Sequence, residues 1–388
     1  MKASRAVALA MIIGLGGASL GRAQSFSSGS NGSFGPINVT SGVVTLDLPA
    51  DGIFHATTVA VAQGASLKFN RNSLNTPVFL LATGDINIAG IVDVSGEAGT
   101  PGTVGRGGPG GFDGGSPGFD TISPGAGHGP GAGLGGDGSG TNSGAGGGAY
   151  GGTPAFAIPP IGKVYGSPLL VPLVGGSGSG GVTGSPGRGG DGGGGAVLLS
   201  SNTSVSITGT ILAHGGYDRI DFAGGSGGAI RIVAPAVLGS GTLNVQGDSV
   251  YLSSYGGPGR IRVDVIDRSG LNLRYEPPAS LSVGAFLLVF PSPIPRLDII
   301  EAAGQQIPEG TSGPVLVTLP FGSSQDRTVT VQARDFTGTV LVDVVLTPAS
   351  GPRQVVQTTI NMTTNPSQAT VNVTLPVNVV TRINAWTR

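Results

Sequence analysis

GGAIRIVAPAVLGSGTLNVQG, residues 227–247, is the stretch on which the rest of this chain is built. It holds two short runs in which apolar residues alternate with other residues, the pattern of β-strands, and glycines open, divide and close it. Related stretches occupy residues 77–96 and 196–215, and the first half recurs at residues 256–265. The repetition indicates an architecture and carries no chemical signature.

Aligning the copies separates positions that keep their character from positions that vary. Gly90, Gly209 and Gly241 coincide at one corner of the repeat. The positions predicted to point inward are all aliphatic: Val92, Ile211 and Leu243 in one strand, and Val78, Val197, Ile230 and Ile261 in the other. The positions predicted to point outward change character, as in Asp93, Leu212 and Asn244. This is the pattern of stacked repeats, because each repeat must bury its inner face against the next.

The repeats resemble the coils of the right-handed parallel β-helix found in exported bacterial surface proteins, including glycine-rich adhesin passengers and pectate-lyase-like proteins. The resemblance extends over roughly residues 37–275 and rests on the alternating strands and corner glycines. It implies an all-β fold with a short right-handed parallel β-helix. A β-sandwich has strands of similar length and is the structural alternative for this region.

A glycine-rich insertion, residues 96–195, interrupts the repeats. Of its 100 residues, 41 are glycine. One prediction is a flexible loop that leaves a corner of the stack. The other is a bundle of extended, polyproline-II-like segments whose glycines permit close packing between segments.

The C-terminal part, residues 291–388, has a different composition, in which glycine is scarce and Val and Thr alternate with other residues. A proline-rich stretch, residues 291–295, predicts a stiff linker before it. The spacing of the alternating segments predicts a small immunoglobulin-like β-sandwich, with Trp386 in its core. The predicted strands are residues 315–319, 328–334, 339–346, 354–360, 369–375 and 379–386.

The first 23 residues have the pattern of an export signal, which places the β-helix domain at residues 24–290. Lys2 and Arg5 precede a short apolar run, and a small-x-small cleavage pattern ends at Ala23. Without this leader the net charge is about −4, and only 11% of the whole chain is charged. A nucleic-acid partner is therefore not expected, because phosphate binding needs clustered Lys and Arg. No later segment is long enough to predict a membrane-spanning helix, and there is no cysteine for disulfides or thiolate chemistry.

Two pairs of residues are the candidates for chemistry. Asp218 and Asp221, beside Arg219, are the catalytic candidates, because polysaccharide-acting members of this fold use clustered carboxylates as acids, bases or calcium ligands. Solvated turn residues would look the same. Arg231 and Arg262 are the ligand-binding candidates, since stacked repeats place them one strand apart, where they could hold a carboxylated sugar. Charges that discourage edge pairing are the alternative. Neither a metal site nor a cofactor is predicted, because the three histidines are scattered and no glycine–aspartate calcium repeat is intact.

These patterns predict an exported structural or adhesive protein without catalytic activity, located at the cell surface, outside the cell or in the periplasm. Polysaccharide or other surface components are its expected partners. The alternative is a carbohydrate-binding or pectate-lyase-like polysaccharide-degrading protein. In a third hypothesis, the glycine-rich insertion is a receptor-binding tip. The sequence predicts no oligomeric state.

Overall fold

The computed structural model describes residues 26–136, 145–154, 162–216, 223–247, 249–250, 253–254 and 256–388. In these residues the regular structure is 26 β-strands and one 3-10 helix, Pro278–Ser280. None of the described helical structure is long and apolar enough to cross a membrane. The predicted export signal, residues 1–23, lies outside the described residues.

The strands before residue 291 come first in chain order. They are β1 (Gly35–Val39), β2 (Val43–Asp47), β3 (Ile53–Val61), β4 (Ser66–Asn70), β5 (Val78–Ala82), β6 (Ile86–Ile88), β7 (Ile91–Asp93), β8 (Gly118–Phe119), β9 (Thr183–Gly184), β10 (Ala196–Ser201), β11 (Ser204–Ile207), β12 (Thr210–Leu212), β13 (Ala229–Leu238), β14 (Thr242–Asn244), β15 (Ser249–Val250), β16 (Ser253–Ser254), β17 (Arg260–Asp267), β18 (Arg274–Glu276) and β19 (Leu281–Gly284).

The remaining strands form the C-terminal part. They are β20 (Arg296–Ala302), β21 (Gln305–Gln306), β22 (Asp326–Arg334), β23 (Thr339–Pro348), β24 (Gln354–Asn361), β25 (Ser367–Thr374) and β26 (Thr381–Thr387).

The repeats pair side by side in parallel, in the register that the sequence alignment predicts. Ile211 lies between Val92 and Leu243, and Ile230 lies between Val197 and Ile261. The all-β prediction is therefore confirmed, and the parallel pairing excludes an antiparallel sandwich for these strands. One sheet has the order β18-β14-β12-β7-β4-β2, and a larger one contains β1, β3, β5, β6, β10, β11, β13, β17 and β19.

Six strands of the larger sheet close a ring of parallel pairings. The ring forms because two long strands each contact two neighbours in turn: β3 pairs with β5 and then with β6, and β13 pairs with β10 and then with β11. The ring is completed by the β5–β10 and β6–β11 pairings. Between the ring and the six-stranded sheet lies a core of inward aliphatic residues, among them Leu80, Ile211 and Ile232, each 0% exposed. Burial of these side chains stabilises the stack.

The outward face of β5, β10 and β13 is also buried, which the alternation alone did not predict. Leu81, Leu198 and Val233 point away from the inner core, yet none is more than 1% exposed. They pack with Leu170 and Leu173 of the insertion and with Val289 in a second apolar cluster. The segments before β10 and after β19 therefore cover one face of the stack.

The C-terminal part is a sandwich of two antiparallel sheets, of order β21-β20-β22-β25 and β24-β23-β26. Val331 and Val371 from one sheet pack against Val342 and Leu346 from the other. Five of the six predicted strands are present with small shifts at their ends. The predicted strand at residues 315–319 is wrong: that segment is irregular and unpaired, and the sandwich contains instead β20 and the short β21.

Trp386 does not lie in the sandwich core. It alternates with Ile383 and Ala385, which pack against the core, so its ring points to the other side of β26. There it meets Phe112 of the insertion edge to face, with 5.3 Å between ring centroids.

Candidate functional site

The structure leaves the catalytic candidates untested. Asp218, Asp221 and the neighbouring Arg219 lie outside the described residues. Among the residues that are described, no group of three or more His, Asp and Glu side chains is placed to hold a metal ion.

The ligand-binding candidates are brought together as predicted, since Arg231 and Arg262 are register partners on β13 and β17. Arg231 is only 1% exposed, and its guanidinium donates to the carbonyl oxygens of Val289 at 3.3 Å and Leu288 at 2.7 Å. Arg262 donates through Nε and Nη2 to Oδ1 of Asp264, at 2.9 and 2.6 Å.

Asp264 is the centre of this arginine cluster. Its side chain is 0% exposed, it accepts a third hydrogen bond from the Phe286 amide at 2.9 Å, and its Oδ2 lies 3.6 Å from Arg231 Nη2. Burial lowers the pKa of Arg231, and the carboxylate of Asp264 opposes that change. The donors of both arginines are thus directed at the protein itself, and the 285–290 segment lies over them.

The glycine-rich insertion is a packed bundle of backbone segments, which we call runs. The runs are residues 94–100, 103–108, 111–118, 124–129, 131–136, 145–151, 175–182 and 188–195. They bond to one another through backbone groups, so the flexible-loop prediction is wrong for the described part of the insertion. Later repeats join the same bundle through residues 223–228 and 256–259.

The hydrogen bonds within this glycine bundle recur every third residue. The amides of Gly189, Gly192 and Gly195 donate to Thr100, Glu97 and Val94 of one neighbouring run. The amides of Gly190 and Gly193 donate to Gly115 and Phe112 of another run, at 2.9 and 2.8 Å. A three-residue period is that of a polyproline-II helix, in which successive residues face three directions. The second prediction for the insertion is therefore confirmed in its main feature.

Glycine is required in these runs because each run is surrounded by backbone. A Cβ on Gly192 would lie 2.0 Å from the carbonyl oxygen of Arg106, and a Cβ on Gly193 would lie 2.1 Å from that of Gly176. At the middle of the bundle there is no direction in which a side chain could point. The bundle consequently holds its shape by backbone hydrogen bonds and close contact.

Three turns meet at the end of the bundle that lies away from the stacked repeats. They comprise residues 100–103, 119–122 and 183–188, and we call them the tip. The Gly102 amide donates to the Gly187 carbonyl at 2.8 Å, and β8 pairs with β9. Phe119 and Ile122 at the tip are 54% and 56% exposed. Apolar side chains are thus presented to solvent on turns that are hydrogen-bonded to one another.

A second cluster lies where the glycine bundle meets the sandwich. Arg353 donates to the Pro130 carbonyl at 3.2 Å, and Ser350 Oγ donates to the Ser123 carbonyl at 2.9 Å. Close to this junction, Asp113 accepts hydrogen bonds from Arg71 and from the Gly107 amide. Burial raises the pKa of Asp113, but Arg71 and the Gly107 amide outweigh it and hold the pKa below its ordinary value.

His128 of the same junction is kept neutral by its surroundings. Burial lowers its pKa to about 4, the Arg382 and Arg353 guanidiniums act in the same direction, and Asp113 opposes them. The sequence signal for this junction is the rare bulky side chain among the glycines, as at Phe112, Asp113 and His128. Spacing alone did not reveal that these residues meet.

Acidification should therefore destabilise the protein through His128. The His128 ring takes up a proton near pH 6.5 in the unfolded chain and only near pH 4 in the folded chain. Its contribution to the free energy of unfolding is therefore constant above pH 6.5 and decreases as the pH falls from 6.5 to 4. We expect a loss of about 3 kcal/mol in the free energy of unfolding between pH 7 and pH 4 from this group, measured by urea denaturation.

The His128→Gln variant should lose much of this pH dependence, whereas His214→Gln, as a matched control, should retain the decline of the unmodified protein. An unchanged decline in His128→Gln would show that the ring is not held neutral by the fold.

Comparisons with family models, with curated proteins and with solved structures give no match to this chain.

Proposed function

We propose that the protein is an exported structural or adhesive protein of the cell surface or extracellular space, without catalytic activity. The leader pattern at residues 1–23 supports export, and the periplasm is the alternative compartment. The observation that carries the proposal is the glycine bundle: a packed bundle of hydrogen-bonded backbone whose tip exposes Phe119 and Ile122. Such a bundle can present a small apolar contact surface on a hydrogen-bonded support.

The architecture that we propose for the support is a right-handed parallel β-helix at residues 24–290, followed by an immunoglobulin-like domain at residues 291–388. The in-register parallel stacking of β5, β10, β13 and β17 supports the first. The two antiparallel sheets that share one core support the second. Hydrogen bonds between neighbouring strands and the stacked aliphatic side chains of the core would make these two domains stiff.

Surface binding through the tip gives a direct test. In the double variant Phe119→Ser and Ile122→Ser, we expect binding to immobilised glycans and to coated surfaces to fall at least about tenfold, since two apolar contacts are lost. The unfolding midpoint should hardly change, because both side chains are exposed. Leu341→Ser, which removes a 44% exposed leucine from the sandwich, is the matched control and should bind normally.

Unaltered binding by the tip variant would show that the tip is not the binding surface. Turnover of any polysaccharide by the intact mature protein would overturn the non-catalytic function altogether.

Carbohydrate binding or degradation is the second candidate function, favoured by the outward face of the six-stranded sheet. There polar side chains pair across neighbouring strands: Lys68 Nζ lies 2.9 Å from Asp93, and Asn244 donates to Glu276 at 3.0 Å. A linear glycan lying across this face would meet polar groups on either side of Leu212, on strands spaced about 4.8 Å apart. Glycan-array binding that persists in the tip variant but is lost in Lys68→Ala would favour this candidate.

A further inference from the structure

Residues 312–319 form an irregular segment whose backbone has no backbone hydrogen-bond partner in the described structure. The nearest backbone hydrogen bonds are Thr311 to Pro308 on one side and Ser323 to Pro320 on the other, both at 3.2 Å. Between them no amide or carbonyl of residues 312–319 bonds to another backbone group among the described residues. Such groups are ordinarily paired within a sheet or left to water.

The segment has the composition of a β-strand. Residues 315–319 read Val-Leu-Val-Thr-Leu, rich in the β-branched and aliphatic residues that strands favour, and prolines at 314 and 320 limit its length to five residues. Leu316 is 85% exposed and Phe321, at the following turn, is 103% exposed. No charged residue lies between Glu309 and Asp326. An uncharged, apolar and unpaired strand sequence is a common device for adding a strand to another sheet.

The strand β2 offers an edge that lacks a neighbouring strand among the described residues. This strand also has five residues, it pairs only with β4, and its second edge has no partner among the described residues. Val44 lies in register with Leu67, which is 0% exposed, and so belongs to the inner column of the stack. Val44 is nevertheless 36% exposed and Val43 is 65% exposed, because no further strand covers the end of the core.

This open end distinguishes β2 from the edges of the sandwich. The core-facing side chains of the edge strands β24 and β25 are already buried: Ile360 is 1% exposed and Val371 is 7% exposed. An added strand would therefore bury new apolar surface at β2 and little at β24 or β25. The only charged residue of β2, Asp47, stands at its last position, so nothing in the centre of the edge opposes pairing.

We propose that residues 315–319 of one copy pair as an additional strand with the free edge of β2 in a second copy of this chain. The segment bonds to no β2 backbone group in its own chain, where its start at Gly313 lies beside Leu74. Because donor and acceptor are different surfaces, the contact is heterologous, and copies join head to tail into assemblies larger than a dimer. The surfaces are separate from the tip, so assembly in solution and adhesion fail or succeed independently.

The lack of cysteine in the chain permits a sharp test by cross-linking. Mature protein carrying Thr45→Cys is mixed with protein carrying Leu316→Cys or Val317→Cys, which point to opposite faces of the donated strand. After mild oxidation, we expect a mixed disulfide dimer in at least about fivefold excess over that formed with Val355→Cys, a matched control on β24 that is 45% exposed. Equal yields in the two mixtures would overturn the proposal, as would a predominance of dimers between two Thr45→Cys copies.

Sedimentation provides an independent measurement. The unmodified protein should assemble with increasing concentration, and Val317→Pro should raise the dissociation constant at least about tenfold while leaving the unfolding midpoint unchanged, because the proline removes no backbone bond of the folded chain. A monomer at all concentrations, or assembly unaffected by Val317→Pro, contradicts pairing through this segment. So does an intramolecular disulfide in dilute Thr45→Cys/Val317→Cys protein.

Discussion

Replacing Gly192 with alanine is expected to destabilise the protein by at least about 3 kcal/mol. The new Cβ would lie 2.0 Å from the Arg106 carbonyl oxygen and 2.2 Å from its carbonyl carbon. Neither atom can rotate away as a side chain could, because both belong to a backbone fixed by its own hydrogen bonds. The run containing Gly192 must move as a unit, and its bond from the Gly192 amide to Glu97 is then lost.

Gly102→Ala is the matched control for this variant. Gly102 lies at the tip with φ of +74°, and no atom lies within 4 Å of its added Cβ. The substitution should cost only about 1 kcal/mol, for the left-handed conformation alone. Urea denaturation of both variants measures the difference. Equal and small losses would mean that the glycine runs are not closely packed.

Replacing Asp264 with asparagine is expected to cost about 3–5 kcal/mol, because it leaves two guanidinium groups at a buried site without their counter-charge. The carboxylate is 0% exposed and accepts three hydrogen bonds through Oδ1, from Arg262 twice and from Phe286. Asparagine has a similar shape but carries no charge. The change should appear as a large drop in the urea midpoint.

Two further variants separate charge from packing in the arginine cluster. Asp267→Asn, three residues later on the same strand and exposed, should leave the midpoint unchanged. Adding Arg231→Met to Asp264→Asn should recover part of the loss, because one uncompensated charge is removed together with its desolvation cost. A double variant as unstable as the sum of the single variants would show that Arg231 and Asp264 do not interact.

The sequence predicts the stacked repeats well because equivalent positions in successive repeats have the same surroundings. Each inner position must fill the same space, so Val92, Ile211 and Leu243 could be aligned by volume alone, and the structure pairs them in that register. The covering of Leu198 and Val233 could not be predicted in this way. Their apolar character fits an exposed hydrophobic patch as well as a second core, and the covering segments are distant in sequence.

The insertion and the segment at residues 315–319 show two further limits of sequence patterns. A glycine composition near 40% fits disorder and a packed bundle equally, since the three-residue period resides in backbone hydrogen bonds and leaves no side-chain signal. Residues 315–319 have strand-forming side chains, but pairing needs an available edge, which the sequence does not display. For the candidate site, the adjacency of Arg231 and Arg262 was predictable, whereas the carbonyl groups of residues 286–289 that accept from Arg231 were not.

The position of the glycine bundle within the chain also constrains the order of folding. β5 and β7 precede the insertion, and their partners β10 and β12 follow it, so pairing must close a loop of about one hundred residues. Glycine loses more conformational freedom on ordering than any other residue, so the bundle cannot form early to shorten that loop. We therefore expect the search between these distant strands to limit the folding rate, and the glycine bundle to become ordered only after they pair.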